Sequence, residues 1–524
     1  MALGSSQVQP RFENPREILG DRLREGSLYR LLADHGHQMF PDDYFADCYS
    51  SSVKGRPTIP ARVMATSMVL QAFEGLSDRE ATDRLEVDLR WQAACGVDVG
   101  YVAFHSTALV GQRNRLRASA RPRRLFEDTK VVANETGAMK GRARVLDSTP
   151  IFDAVATEDT VTQLRASIRK VLIALDGAGG PLGELVRVAL LRDDQYATSG
   201  KPPCDWDDRA AREALVDALV RDALGALEAL DGETIPDRAT DAVALLSLVA
   251  GQDVDQGDDG VFRIARKVAK DRVISTVDTE ARHGHKSRNR RFDGYKAHLS
   301  IDPDSELIDE VVGTAANAPD RDAATDLLAS HDDDEDKPEV LGDSAYADGE
   351  TRDTLGAKGF TITAKCPPVR NATGLFTKDR FTVDLTAHTV TCPAGNVTPI
   401  NLTRQGGGRA SFKIHCRTCP MRSACTKSRS GRTITVHEHE ALLQRARAEQ
   451  TEPGWAEHYR ADRPIVERKI AHFVRRPWGE RRARTRGLKR ITTDLDTRAS
   501  ALNWARLAVL GLDRDGGSWV LGAT

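Results

Sequence analysis

Residues 295–313, YKAHLSIDPDSELIDEVVG, carry the reading of the fold. Tyr295, Ala297, Leu299 and Ile301 alternate with Lys296, His298 and Ser300, the period of a half-buried strand. The turn Asp302-Pro303-Asp304 follows, and 307–313 (LIDEVVG) reads as a second strand. Asn317-Ala318-Pro319-Asp320 then caps a short helix to about residue 330. Residues 339–341 are a short buried strand that delivers Asp343 within Gly342-Asp343-Ser344-Ala345-Tyr346. A helix over 348–355 and a strand over 360–364 come next. Upstream, 143–147 (ARVLD) reads as a buried strand ending in Asp147, before Ser148-Thr149-Pro150. Strand, insertion, strand, strand, helix, strand, helix, strand is the order of a mixed α/β sheet flanked by helices.

The rest of the chain is arranged around this pattern. Residues 1–136 read as helical: Pro60 opens a run that Gly75 stops, and Ser77-Asp78-Arg79-Glu80 is a capping box. A third helix follows His105-Ser106-Thr107 and carries Arg113, Arg115 and Arg117. Short helices with a Gly-containing turn suit helix-turn-helix DNA binding, and equally a helical interaction or dimerisation domain. Residues 160–270 are helical again, with no chemical constellation, and read as an insertion. The run 282–292, RHGHKSRNRRF, reads as a basic loop. Residues 380–440 are rich in Thr and Val and read as a small β-rich insertion, and 497–512 as an apolar helix.

A chain of 524 residues has room for two to four domains. Net charge is −2, but the charge is unevenly spread, with bases crowded at 282–296 and 463–490 and acids at 332–336 and 253–259. That distribution suits a protein with one face for a polyanion. No apolar run reaches the length of a membrane span, and the N-terminus lacks the apolar core of a signal peptide. The expectation is a cytoplasmic protein whose eight cysteines are not disulfides.

Residues 463–490 hold eleven Lys/Arg and two acids. Pro464 suits a first helical turn with Asp462 as cap, and Val466, Ile470 and Phe473 make one apolar face. Alone, Glu467 reads as half of a surface pair with Arg463 at i, i+4, contributing a few tenths of a kcal/mol. With Asp147 and Asp343 at strand ends, it reads differently. Three carboxylates from distant positions are what a binuclear magnesium site needs, since hard cations take oxygen ligands. Two such ions about 4 Å apart serve phosphodiester chemistry.

The segments VLDSTP, HGHKSRNRRFDGYKAHLSID, NAPD, VLGDSAYAD and RPIVERKIAHFVRRPWGERRARTRGLKR resemble the bacterial insertion-sequence DDE transposases, which have a ribonuclease-H-like catalytic core behind an N-terminal helical domain. Carried over, Asp147, Asp343 and Glu467 match the family's three catalytic, metal-binding acids. The family's signature is Tyr, two residues, Arg, three residues, Glu, six residues, Lys. Here Arg463 and Glu467 fit, while Tyr459 is three residues before Arg463 and Val474 occupies the Lys position.

The resemblance implies an N-terminal helical domain over 1–136 and a core over 137–160, 271–380 and 441–513. The residue pattern adds a helical insertion over 161–270, a β-rich insertion over 381–440 and a tail over 514–524. The resemblance implies an enzyme that binds element ends, cleaves DNA strands and joins the 3′-hydroxyl to target DNA, using two Mg2+ or Mn2+ ions. A homodimer on double-stranded DNA, nucleoid-associated, follows from pairing two ends. Arg288, Arg290, Arg291, Tyr459, Arg463, Arg475, Arg476, Arg481, Arg482, Arg484, Arg486, Lys489 and Arg490 are the expected DNA-binding residues. The alternatives are a non-catalytic DNA-binding regulator of transposase descent and a general metal-dependent nuclease.

Four cysteines form a set of their own: Cys392, Cys416-x2-Cys419 and Cys425. This spacing fits a structural zinc site, with His415 and His437 as alternative ligands. His283, His285 and His298 read as packing or DNA-backbone residues.

Overall fold

The computed structural model describes residues 14–49, 58–139, 141–193, 196–267, 269–287, 289–366, 369, 374–475 and 481–522. The chain opens with seven helices: α1 (Pro15–Leu19), α2 (Leu28–Met39), α3 (Ala61–Glu74), α4 (Asp78–Val87), α5 (Leu89–Cys95), α6 (Thr107–Ala118) and α7 (Arg124–Glu135). Every residue of α3 from Ala61 to Gln71 is buried, so this evenly apolar helix lies at the centre of the group. Gly75 ends it in the left-handed conformation, and the capping box of Ser77 and Glu80 starts α4.

The central sheet has six strands: β1 (Ala143–Phe152), then β4 (Arg282–Ser287), β5 (Arg290–Ile301), β6 (Ile308–Ala315), β7 (Glu339–Gly342) and β8 (Ile362–Ala364). Between β1 and β4 come helices α8 (Thr160–Ala178), α9 (Leu182–Ala189), α10 (Arg209–Ala229) and α11 (Asp237–Gln252), with their own core. The same segment holds a short hairpin, β2 (Val254–Gln256) and β3 (Phe262–Ile264), which the helical reading of 160–270 does not contain. Helix α12 (Ala324–Leu328) precedes β7, and α13 (Gly349–Ala357) links β7 to β8.

β1 pairs antiparallel with β5, from Val145↔Ile301 to Phe152↔Gly294, and parallel with β7 at Val145↔Leu341. β7 pairs parallel with β8, and β5 antiparallel with β6. The run expected as a basic loop instead forms β4 and the start of β5, with His283 opposite Asp293 and His285 opposite Arg291. The exposed charges mask the strand there, because only one side of this pairing is apolar. At the join Gly294 has φ +132°, and a Cβ would lie 2.4 Å from the carbonyl oxygen of Ile151. Only glycine fits that approach.

Next come two small sheets, β9 (Thr382–Asp384), β10 (Thr389–Thr391) and β11 (Val397–Pro399), then β12 (Asn401–Leu402), β13 (Gly408–Ser411) and β14 (Thr433–Val436). A short helix α14 (Arg422–Cys425) precedes β14. Three further helices are α15 (Glu440–Glu449), α16 (Trp455–Val474) and α17 (Leu488–Val509). The residues expected as a tail form part of an antiparallel hairpin, β15 (Leu512–Asp515) with β16 (Ser518–Leu521), turned by Gly516 and Gly517 at positive φ.

Helices cover both faces of the sheet. On one, Val145, Leu299, Val311 and Leu341 pack on Val466, Ile470 and Phe473 of α16 and on Ile491 and Leu495 of α17. On the other, Leu146 and Val340 pack on Leu327, Leu328, Leu355 and Phe360. The far end of α17 enters the N-terminal core through Trp504 and Leu507. Asn503 fastens this helix, accepting from the Ile308 N–H at 2.8 Å and donating to its carbonyl at 2.8 Å and to Thr129 at 3.1 Å.

Candidate active site

Two acids stand on neighbouring strands, Asp343 just past the end of β7 and Asp147 midway along β1. Strand β1 runs on to Phe152 and does not end at the acid as 143–147 suggests, because its second half pairs with β5. The parallel register Val145↔Leu341 carries Asp147 and Asp343, each two residues further along, to one level. Asp147 Oδ1 accepts from the Ser148 N–H at 2.7 Å, and Oδ2 pairs with Arg463 Nη2 at 2.9 Å. Asp343 Oδ1 accepts from the Ala345 N–H at 2.8 Å. Both carboxylates are therefore oriented by main-chain donors one or two residues on. Burial and then the nearby charge of Asp147 push the Asp343 carboxyl above its ordinary value, against the hydrogen bond from Ala345 and the charge of Arg463.

The third acid comes from α16. This helix begins at Trp455, two turns earlier than Asp462 and Pro464 predict, so Pro464 is an interior residue. Asp462 does not cap it but pairs with Arg142 Nη1 at 3.1 Å. The earlier start follows from packing: Trp455 and Tyr459 stack at 5.2 Å between centroids, and Tyr459 is buried. The Tyr459 hydroxyl donates to the Gly342 carbonyl at 3.2 Å, holding the end of β7 beside Asp343. Arg463, 9% exposed, reaches Asp147 and forms no pair with Glu467. Glu467 lies one turn beyond Arg463, is exposed, and makes no hydrogen bond or ion pair among the described residues.

Among the described residues, no group of three or more His, Cys, Asp or Glu side chains is arranged to hold a metal ion. Asp147 and Asp343 are neighbours, and Glu467 does not close a three-carboxylate group with them. The donor chemistry nonetheless fits a hard divalent cation, with carboxylate oxygens from two adjacent strands and a carboxyl whose charge is disfavoured by its neighbour.

A fourth acid beside this pair escaped the sequence reading. Asp320 accepts from Ser148 Oγ and Lys296 Nζ, each at 2.6 Å. Burial opposes its charge, but these two donors and the Lys296 charge hold the carboxyl below its ordinary value. His298, opposite Ser148 across the strands, is buried between the Tyr346 hydroxyl at 2.8 Å and Thr314 Oγ1 at 2.9 Å. Burial lowers it to about 4, so it is a neutral packing residue. The signal for Asp320 was present in Asn317-Ala318-Pro319-Asp320, where it reads as a helix cap.

The basic residues take several places. Arg481 Nε donates to Thr149 Oγ1 at 3.1 Å, and the main chain at 481–483 pairs with Phe152 at the end of β1. Arg484 is half-buried against Asp78 at 3.4 Å. Arg290, Arg291, Arg475, Arg482, Arg486, Lys489 and Arg490 are exposed. Arg288 and Arg476 lie outside the described residues.

Cys392, Cys416, Cys419 and Cys425 line one cavity of about 20 Å³ among Phe376, Phe381 and Phe412, and none is in a disulfide. Cys416 Sγ accepts from the Arg432 N–H at 3.4 Å, and Cys392 Sγ from Asn396 Nδ2 at 3.7 Å. Burial pushes the Cys425 thiol up. Four sulfur atoms around one cavity are the donor type zinc takes, but among the described residues the cysteines are not gathered into a metal-holding group. His437 is placed elsewhere, against Gly349 and His439.

No described helix is long and apolar enough to cross a membrane. No curated protein matches the chain, and no solved structure matches it. A family model described as "Transposase domain (DUF772)" matches residues 17–115, α1 to most of α6. A second, described as "Transposase DDE domain", matches residues 391–508, from the cysteine-bearing sheets through Glu467 to the end of α17. A transposase domain matched at each end of the chain supports an insertion-sequence DDE transposase.

Proposed function

We propose that this transposase cuts DNA at the ends of its element and joins the freed 3′-hydroxyl to target DNA by phosphoryl transfer at Asp147, Asp343 and Glu467. The observation that carries the reading is the meeting of Asp147 and Asp343 on adjacent parallel strands, with Arg463 of the Glu467 helix on Asp147. The strand order β6–β5–β1–β7–β8, antiparallel on one side of β1 and parallel on the other, supports a ribonuclease-H-like core.

Two magnesium or manganese ions held by these carboxylates would activate the attacking oxygen and stabilise the leaving one. The chain's own residues do the positioning. Ser148 N–H and Arg463 fix both oxygens of Asp147, so the carboxylate presents one geometry to its ligand. Tyr459 sets the end of β7 and with it Asp343. The exposed arginines at 475–490 and 290–291 hold the DNA backbone by charge, independent of sequence. Pairing of two element ends asks for two copies of the chain on DNA. A structural zinc ion at the four cysteines would stabilise the small sheets, and none of the proposed catalytic acids lines that cavity.

The test is incubation with Mg2+ and duplex DNA bearing the inverted repeats that flank the gene. Cleavage at the repeat ends, abolished by Asp147→Ala, Asp343→Ala or Glu467→Ala, is the expected result. Tight binding without a cut in the wild type would sink the enzyme reading in favour of a regulator, and cutting indifferent to the repeats would make it a general nuclease.

A further inference from the structure

The N-terminal helices and the basic segment after α16 share a cleft that the acids do not use. One part, about 650 Å³, is walled by Arg113, Asn114 and Arg117 of α6 and by Arg484, Arg486 and Arg490 on the other side. A second part of about 340 Å³ has Asn114, Arg117, Arg486 and Arg490 in common with the first and adds Lys489, so the two are one continuous space. Its carboxylates are Asp78, Asp494 and Glu280. Asp78 is engaged by Arg113 and Arg484, Asp494 by Arg498 at 2.5 Å, and Glu280 accepts from the Leu488 N–H at 2.8 Å.

Arg117, Arg486 and Arg490 have no carboxylate partner among the described residues; Arg117 reaches only Asn114. Three guanidinium groups from two distant parts of the chain are thus gathered with no direct carboxylate ion pair among the described residues, Asp153 acting on Arg486 through its charge alone. Burial, and then the charges of Arg490 and Arg113, depress the Arg117 guanidinium, so these cations lie within reach of one another. A fold tolerates such a gathering when an anion completes it. In the chain Arg484 follows Arg481, which donates to Thr149 on β1, and Arg482, which donates to the Ala154 carbonyl just beyond that strand.

We propose that the cleft between α6 and residues 484–490 is a binding site for the phosphate backbone of duplex DNA, with Arg117 of the N-terminal helices and Arg486 and Arg490 of the C-terminal segment clamping one stretch of it. This rests on the reading of the chain as a DNA-transferring enzyme, and adds that DNA is held jointly by the two ends of the chain. Arg117 stands on a helix whose sequence suits DNA binding and helical association equally, and only the folded chain brings it to the C-terminal basic run. Because the contacts are to phosphate, they act on any sequence.

The experiment is duplex binding by full-length protein across a salt series, without metal so that no cutting intervenes. Each lost phosphate contact lowers the slope of log K against log salt by about 0.9. Arg117→Gln alone should reduce the slope by about one, and the Arg117→Gln, Arg486→Gln, Arg490→Gln triple by about two to three, equally for repeat and random sequence. Arg117→Lys should recover most of the slope. None of the three side chains holds a carboxylate, so melting temperatures should be unchanged or slightly raised; if the triple unfolds, the single Arg117→Gln and Arg490→Gln variants carry the test. Wild-type slope in folded variants would overturn the proposal. So would a wild-type melting temperature raised as much by inorganic phosphate or ATP as by duplex, since that assigns the cleft to a small anion. Failure of the wild type to bind any duplex would instead bring down the functional reading on which the cleft's role depends.

Discussion

Arg463 is the residue whose role the tertiary structure changed most. At i, i+4 from Glu467 it looks like half of a helical pair worth a few tenths of a kcal/mol. In the fold its guanidinium is buried and turned to Asp147 at 2.9 Å. Arg463→Met should cost about 1–3 kcal/mol in urea unfolding, below the ~3–5 of a fully buried pair, because the Asp147 side chain keeps 17% exposure. It should also reduce cleavage at least tenfold. Arg463→Lys should restore stability more than activity, because a point charge does not reproduce the planar fork. Unchanged cleavage in folded Arg463→Met would remove the residue from the site. A second residue-scale prediction concerns His331, which bonds Asp309 and Asp334 at 2.7 Å each. Burial lowers its basicity, but the hydrogen bond and charge of Asp309 outweigh this and raise it overall. A raised folded value means stability that is complete below the ordinary value of ~6.5 and lost as pH rises through the folded one. Asp309, held well below the ordinary carboxylate range by His331, Arg144 and Lys130 against its burial, gives the opposite trend, lost only in acid. Melting temperature should therefore fall more steeply above pH 6.5 in the wild type than in His331→Asn; parallel curves would refute the linkage.

At the scale of elements, the pieces with local signals were legible. The capping box of α4, the glycine stop of α3 and the alternation of β5 are written in neighbouring residues. The onset of α16 was not, because Pro464 and Asp462 imitate a helix start while the stacking of Trp455 and Tyr459 extends the helix two turns earlier. The strand β4 was hidden by its charges. Helix α17 joins the sheet to the N-terminal helices, and Asn503 satisfies both main-chain groups of Ile308. Asn503→Leu should lower the unfolding free energy by about 1–3 kcal/mol, since a buried N–H and C=O lose their partners; a change under about 0.5 would show that water replaces the amide. The cysteine-bearing sheets give a further prediction. Purified, unchelated protein should carry about one zinc, falling in Cys416→Ser and Cys425→Ser, and less than about 0.2 equivalents in the wild type would argue against zinc.

For the whole molecule, Trp504 and Leu507 of α17 stand in the N-terminal core while Ile491 and Leu495 of the same helix stand under the sheet. The two cores are therefore tied by one rigid element. Trp504→Ala should cost about 3–5 kcal/mol, and hydrogen exchange should report lost protection in both α3 and β6. Loss confined to α3 would mean that the cores open separately. The same tie brings α6 against residues 484–490, so the cleft between them depends on the packing of α17 as much as on its arginines.

The sequence by itself determined most of the elements and singled out the candidate acids, because hydrophobic period, caps and acids that follow apolar runs are properties of short stretches. It also carried the likeness to transposases, in motifs a few residues long. Only the tertiary structure decided which acids meet, that Arg463 serves Asp147 and not Glu467, that Asp320 stands beside the pair, and that Arg117 joins Arg486 and Arg490. Those are matters of register and of packing between segments hundreds of residues apart. A parallel pairing such as Val145↔Leu341, or a helix such as α17 laid across two cores, is selected by the shape and burial of the whole, which no local period records.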